Sequence, residues 1–553
     1  MSWKIRLTAF FLSLFSLVSA QQVELIAPTS FISGKAYPFA LEAMTNGQVD
    51  LFRSEVLSTT TIGGQIANGV IKIKKGRGLA TVQVNSPSML LVTATGISLV
   101  VNQNENQPIL HNGTINGSTT WLEGTVHHIS SDLLVATGDT LTIEAGCWVL
   151  IDSAVNMIVN GMIKAEGTRE NPISFCSNSE ASSWGGILIN QGVGAFEYCL
   201  FINGGGDVSQ AFGHSNSQAT VKTNGGPLNL DHCFIFDCQG KGIGAENATI
   251  QFSNGAISRC DMGGDFIGST VSVIGSHVLD IPNDDGIFVD DDNDGFYFSG
   301  ANQQETSIVD SCVFMIGKDD AIDHNNAILE VRNTWVEGFE NEGIAASNGN
   351  SVFVYNSLFK NCEQGIEAGY GSPQVIVDHC VMIGNDNGLR FGDWYDWGSN
   401  GSIACTNSIM ADNVDNIYNF DVLANGPISG AIELTYSLTN DVEYDNNTGC
   451  LAGQPIFNSN YLLEPGSPGV GLGNDGLNMG LIASIPTGIS ENSGLFGERM
   501  VSFRIFDLKG AVVLSGNNSH SLVDSFSQLK NGIYLVQEVH ETGIKKYKKA
   551  IFK

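Results

Sequence analysis

Aspartates crowd the stretch NDDGIFVDDDNDGFYFSG, residues 283–300. Within it Asp290, Asp292 and Asp294, followed by Gly295, fit the opening of a calcium loop. In such a loop alternate carboxylates converge on one hard cation, and the glycine permits the sharp turn. The carbonyl of Phe296 is placed to add another oxygen. The glutamate that closes an EF-hand loop is replaced by Ala301, so the spacing predicts a calcium-braced loop completed by Glu305 or by an acid from elsewhere. Without a counterion, carboxylates this dense repel one another. Asp284 and Asp285 belong to a different pattern. Acid or amide pairs recur at Asp319 and Asp320, Asn341 and Glu342, and Asp386 and Asn387. Such pairs suit turns in which short polar side chains satisfy backbone donors.

A second group that could do chemistry comprises Asp323, Glu367 and Arg390, followed by Trp394, Tyr395 and Trp397 in FGDWYDWGSNG. Two carboxylates about 6.5–9.5 Å apart suit an inverting glycosidase, with water between acid and base. Arg390 offers the alternative of a base in a calcium-assisted elimination, and it could equally pair with Glu367. Aromatic rings among Asp393 and Asp396 suit sugars, whose C–H faces stack while the acids accept from hydroxyls. His324, beside Asp323, reads more readily as a core histidine than as a general base.

Whether these residues meet depends on the elements that carry them. The segments DHCFIFDCQGKGIGAE, VDSCVFMIGKDDAIDH, VRNTWVEGFENEGIAAS, VYNSLFKNCEQGIEAG and VDHCVMIGNDNGLRFG share a short apolar run, a polar turn, a small residue and an aliphatic one. Subtracting successive numbers along Ile243, Phe266, Ile287, Ile322, Ile344, Ile366 and Leu389 gives spacings of 23, 21, 35, 22, 22 and 23. A period near 22, with short β runs and no helical periodicity, predicts a solenoid of parallel strands: a right-handed parallel β-helix. If the aliphatic marker points inward, its successor points outward. The outward column then reads Phe288, Asp323, Ala345, Glu367 and Arg390. Glu367 and Arg390 lie one coil apart, and Asp323 and Glu367 two coils, about 9–10 Å at the strand spacing. The long spacing of 35 marks an insertion, taken to be DDDNDGFYFSGANQQ, with GIFV before it as the coil strand.

The chain at this point resembles the pectate-lyase-like family of β-helix proteins. The resemblance rests on LLVATGDTLTIEAGCWVLIDSAVNMIVNGMIKAEGTRENPISF and SWGGILI at the start and YLLEPGSPGVGLGNDGLNMG at the end, and covers roughly residues 115–482. It implies the fold. The Asn-Thr-Asp, Gly-His-Gly and Arg-Ile-Lys signatures of its polygalacturonase branch are missing, and lysine is sparse along the coils. Fold alone supplies no activity.

The rest of the chain sets the compartment. A formal charge of −31 at only 15% charged residues argues against a nucleic-acid partner, which demands a lysine and arginine surface. MSWKIRLTAFFLSLFSLVSA at residues 1–20 has the pattern of a secretory signal, and no later stretch is apolar and long enough for a transmembrane helix. RIFDLKGAVV, LKNGIYLVQ and KKYKKAIF, within residues 489–553, resemble successive blocks of the C-terminal sorting domain of type IX secretion in Bacteroidota. The resemblance implies the type IX machinery as a partner, passage through the outer membrane, and a place at the cell surface or in the medium. Residues 21–105 alternate apolar and polar residues between Gly, Ser and Asn turns, which predicts a small β-sandwich. The 11 cysteines are read as mostly buried core thiols; Cys233 and Cys312, three coils apart, lie too far from each other to bridge. Two functions stay open: a secreted surface protein that engages, and in one version cleaves, an extracellular polysaccharide, or a non-catalytic adhesin or structural surface protein.

Overall fold

The computed structural model describes residues 21–66, 69–93, 98–179, 181–283, 292–301, 303, 305–395, 397–441, 444, 446–482, and the strands Met500–Phe506, Val512–Gly516, Gly532–His540 and Lys545–Phe552. The signal-like residues 1–20, the pair Asp284 and Asp285, the strand expected at 286–289, Asp290, Asp396 and the sorting-domain start near 489 lie outside them.

The chain forms two compact units, residues 1–488 and 489–553. The second contains a four-stranded antiparallel sheet, with Met500–Phe506 between Val512–Gly516 and Gly532–His540, and Lys545–Phe552 at the edge. In the first unit, residues 21–103 build a β-sandwich of two five-stranded sheets. From Ile109 on, the chain winds as a right-handed parallel β-helix, and among the described residues no helix is long and apolar enough to cross a membrane.

The coils follow from alternation. Side chains of a strand point to opposite faces, so every second residue enters the bore and stacks on its equivalent one coil away. One inward column runs Val221, Ile243, Gly264, Phe296, Ile322, Ile344, Ile366 and Leu389. All of its apolar side chains are buried. Turns between coils need left-handed backbone, and short amides tolerate it. Asn333, Asn356 and Asn407 have φ of 50, 45 and 49°. Asn356 Nδ2 donates to Asn333 Oδ1 at 2.8 Å, continuing the stack in polar form. All eleven cysteines are unpaired thiols, ten of them buried; burial raises the Cys312 thiol to about 12.

The register corrects the reading of the insertion. The coil strand is Phe296–Ser299, paired with Gly264–Ile267 on one side and Ile322–Asn325 on the other. The extra residues therefore precede FYFS instead of containing it. Tyr297 replaces Phe288 in the outward column, and Gly264 takes the marker position assigned to Phe266. Aliphatic spacing alone could not separate GIFV from GFYF, because both offer a small residue followed by an apolar run.

A different outward column is covered. Trp148, Ser174, Leu200, Phe234, Ala256, His277, Val313, Trp335, Leu358, Val381 and Ile409 stack coil upon coil. The N-terminal sandwich packs Phe31, Phe39 and Leu41 against its first half, and Met44, Val49 and Leu51, together with Leu463, Met479 and Leu481 of the final coil region, against the second. Arg77 of the sandwich enters this seam. Its guanidinium donates to the carbonyls of Asn254, Gly255 and Gly275 at 2.8–2.9 Å and pairs with Glu42 at 2.9 Å. It also donates to His277 Nδ1 at 2.9 Å, which leaves Nε2 to donate to the Lys75 carbonyl at 2.7 Å and fixes the neutral tautomer.

Candidate functional site

With one outward column covered, another stays open over part of its length. It runs Lys222, Gly244, Asp265, Tyr297, Asp323, Ala345, Glu367, Arg390 and Tyr418, and its stretch from Tyr297 to Arg390 lines a groove of about 320 Å³. Asp323, Glu367 and Arg390 all line this groove, as do Asp292, Asp294, Trp394, Tyr395 and Trp397. Residues read from sequence as a separate metal loop and a separate sugar face thus share one cleft.

The acidic end is built by the turn ladder. Asp294, Asp320 and Glu342 occupy equivalent positions in three successive coils, two residues before the inward marker. Asp294 therefore belongs to the ladder that the sequence assigned to Asp284 and Asp285. Asn341 Nδ2 donates to Asp319 Oδ1 at 2.7 Å and the Glu342 amide to Asp320 Oδ1 at 2.8 Å, so these carboxylates do satisfy local donors. They are also buried together: Asp294 is 1% exposed, Asp319 7% and Asp320 8%. Burial first, and neighbouring carboxylates second, hold Asp294, Asp320 and Asp323 well above the usual carboxylate range. Asp294 Oδ2 is buried without a hydrogen-bond partner, a costly state for a charged oxygen.

Calcium fits this donor chemistry better than the loop first assigned to it. Single oxygens of Asp294, Asp319 and Asp320 all lie within 4.8 Å of one another, an all-oxygen buried set suited to a hard cation. Phe296, expected to offer a carbonyl from a loop, lies instead in the coil strand Phe296–Ser299, with its ring in the bore and its amide donating to the Ala321 carbonyl at 3.0 Å.

The middle of the groove holds Glu367 ion-paired with Arg390. Arg390 is 1% exposed, and its Nε and Nη2 are buried with no hydrogen-bond partner. Burial lowers its pKa to about 10, and its guanidinium sits 4.7 Å from the Trp394 ring centre. His324 points into the bore, where its Nε2 donates to the Ala327 carbonyl at 2.6 Å and burial lowers its pKa to about 4. It is a core histidine.

The aromatic end faces solvent. Trp394, Tyr395 and Trp397 are 48, 69 and 65% exposed. Trp397 meets Tyr370 edge-on at 4.8 Å and stacks with Tyr395 at 5.3 Å; Trp394 stacks with Tyr418 at 6.0 Å. What holds them is Asp393, read from sequence as a sugar acceptor. It is buried, and its carboxylate accepts the backbone amides of Tyr395, Trp397 and Gly398. The acid orders the loop, and the rings are left to make contact.

Sequence reasoning missed His214. It lies on a long turn, residues 203–218, that folds back over the column. Gly244 leaves space for Phe212, whose ring tip is 2.5 Å from where a Cβ would sit. Gly213 has φ +69° and closes on Asp265, so a side chain there meets both strain and clash. Lys241 and Asp265, a fully buried pair at 2.8 Å, anchor the turn through the Phe212 carbonyl and the His214 amide. The ring of His214 stacks on Tyr297 at 4.2 Å and 2°. The sequence signal was the length of the turn, larger than any regular coil corner.

Residues 113–213 match the model of the pectate-lyase-like β-helix domain. Among solved structures the chain is similar to an alginate lyase from Paenibacillus sp. str. FPU-7, at 14% identity over 55% of this chain and 99% of that one, with a TM-score of 0.26. It is similar to the periplasmic alginate epimerase AlgG at 8% identity, over 59% and 78% of the two chains, TM-score 0.30. A mutant of the PL6-family alginate lyase AlyGC gives 11%, 65% and 58%, and 0.30. No curated protein sequence matches.

Proposed function

We propose that the protein is an exported, surface-displayed β-helix that engages an extracellular polysaccharide in this groove. The observation that carries the reading is the open cleft itself, with three exposed rings on an ordered loop at one end and a buried carboxylate ladder at the other. Sugar rings stack on Trp394, Tyr395 and Trp397, and Arg390 supplies the positive charge at mid-groove. The export part rests on residues 1–20 and the sorting-domain blocks within 489–553.

The sugar this cleft suits is acidic. An anionic chain is repelled by a protein of net charge −31 unless a cation stands between them. Calcium held by Asp294, Asp319 and Asp320 would supply that neutralisation when bound. Cleavage, in this reading, takes one of two routes, calcium-assisted elimination with Arg390 as the base or hydrolysis by Asp323 and Glu367, and the Glu367–Arg390 ion pair must open for either.

A glycan array of the mature protein, run with calcium and with chelator, tests the binding. Binding to acidic glycans that falls with chelator and with Trp397→Ala is expected; an array that stays blank in both conditions sinks the reading and leaves the adhesin. For cleavage by elimination, the expected product is an unsaturated sugar seen by ultraviolet absorbance. New reducing ends without that absorbance would mean hydrolysis.

A further inference from the structure

His214 raises a question that the glycan reading does not answer. Its Nε2 lies 3.5 Å from Asp292 Oδ1, 3.8 Å from Asp294 Oδ2 and 3.6 Å from Asp323 Oδ2. One N–H donates to one acceptor at about 2.7–3.2 Å, so a lone proton uses none of these three positions well. All three carboxylates instead converge on the same side of the imidazole nitrogen. Metal bonds of about 2.0–2.2 Å place neighbouring donors about 3.0–3.5 Å apart, so a shift of a few tenths of an ångström closes the set. His214, Asp294 and Asp323 can each turn one ligand atom to within 4.8 Å of the others. Asp294 Oδ2 faces this point buried and without a hydrogen bond. The ring is positioned by its stack on Tyr297, and its backbone amide donates to Asp265 Oδ2 at 2.8 Å.

We infer that His214, Asp294 and Asp323, with Asp292 at the solvent edge, form a site for a first-row divalent transition-metal ion, of the manganese or zinc class, beside the all-oxygen calcium set. The imidazole decides the class. Calcium takes oxygen ligands, whereas an imidazole nitrogen is favoured by transition metals and raises their affinity over that of a hard cation. Three carboxylates offset the charge of a divalent ion. Asp294 is common to both sets, so it links the two cations.

The inference concerns the acidic end alone and is tested without any glycan. Full-length protein is stripped with chelator and titrated with Mn2+ in excess calcium, and the bound ion is examined by pulsed electron paramagnetic resonance. One equivalent of Mn2+ retained against calcium, with nitrogen modulation from a histidine, is expected. His214→Ala should abolish the modulation and weaken Mn2+ at least about tenfold, more than loss of an outer-sphere partner costs at its mildest, while leaving calcium binding in place. Manganese that calcium displaces fully, or that shows no nitrogen modulation in the unmutated protein, overturns the site. The second readout needs no variant, so it decides the matter even if His214→Ala folds poorly.

Discussion

The seam under the N-terminal sandwich and the acidic end of the groove both bury ionisable groups, and they treat them oppositely. At the seam, Glu42 is held below the usual carboxylate range against the cost of its burial, because Arg77 and Arg169 both bind it. Arg77 in turn finds backbone acceptors on two coils. In the groove, Asp294 and Asp323 are held well above that range by burial and by neighbouring carboxylates. The seam is complete as folded. The groove leaves Asp294 Oδ2 buried without a partner, and buried groups left in that condition are where function is to be sought.

The comparison can be broken in four ways. The largest effect is expected from Arg77→Met, which removes one of the two arginines holding Glu42 at a site 1% exposed, leaves only Arg169, and should cost about 3–5 kcal/mol by urea unfolding. A loss below about 1 kcal/mol would mean that the seam is not held by charge. Acid comes next. His277 is held well below its ordinary 6.5 by burial and by Arg77, so the unfolded chain takes a proton there that the folded one refuses. Stability is full above 6.5 and falls by roughly 1.4 kcal/mol per pH unit below it. Glu42, whose folded pKa is depressed, adds its own loss as pH drops below 4.5. Melting curves of His277→Asn should show the first of these slopes removed.

Asp294→Asn should do the reverse of Arg77→Met. In chelator it relieves carboxylate repulsion and is expected to stabilise the protein by about 1–2 kcal/mol, and with calcium present the gain should vanish. A variant destabilised in both conditions would show that the ladder needs no cation. The smallest effect belongs to Trp397→Ala, which leaves stability within about 0.5 kcal/mol. Its cost falls on glycan affinity, about 0.5–1.5 kcal/mol for a lost ring contact.

How much of this was legible follows from what repeats. The period of 22 carried the β-helix and placed Asp323, Glu367 and Arg390 in one outward column, where the register has them. It failed where the period was interrupted. Residues 283–295 hide the coil boundary, so Phe296 was taken for a loop carbonyl and Asp294 for part of a free-standing calcium loop. The roles of Asp393 and His214 were illegible for another reason: both depend on chain folding back over a coil, Asp393 to gather three amides and His214 to cross toward Asp323. A repeat reports neighbours at fixed offsets and is blind to such excursions.

The covered column has a mechanical consequence. A solenoid whose coils touch only their neighbours can fray from either end, one coil at a time. Here the sandwich lies lengthwise along the stack, and Arg77 fastens carbonyls from two different coils to a single residue outside them. Tension along the stack axis would be shared by many coils at once instead of being taken by the outermost. A molecule spliced in this way yields late and all together, the behaviour of a beam with a splint and not of a coiled spring.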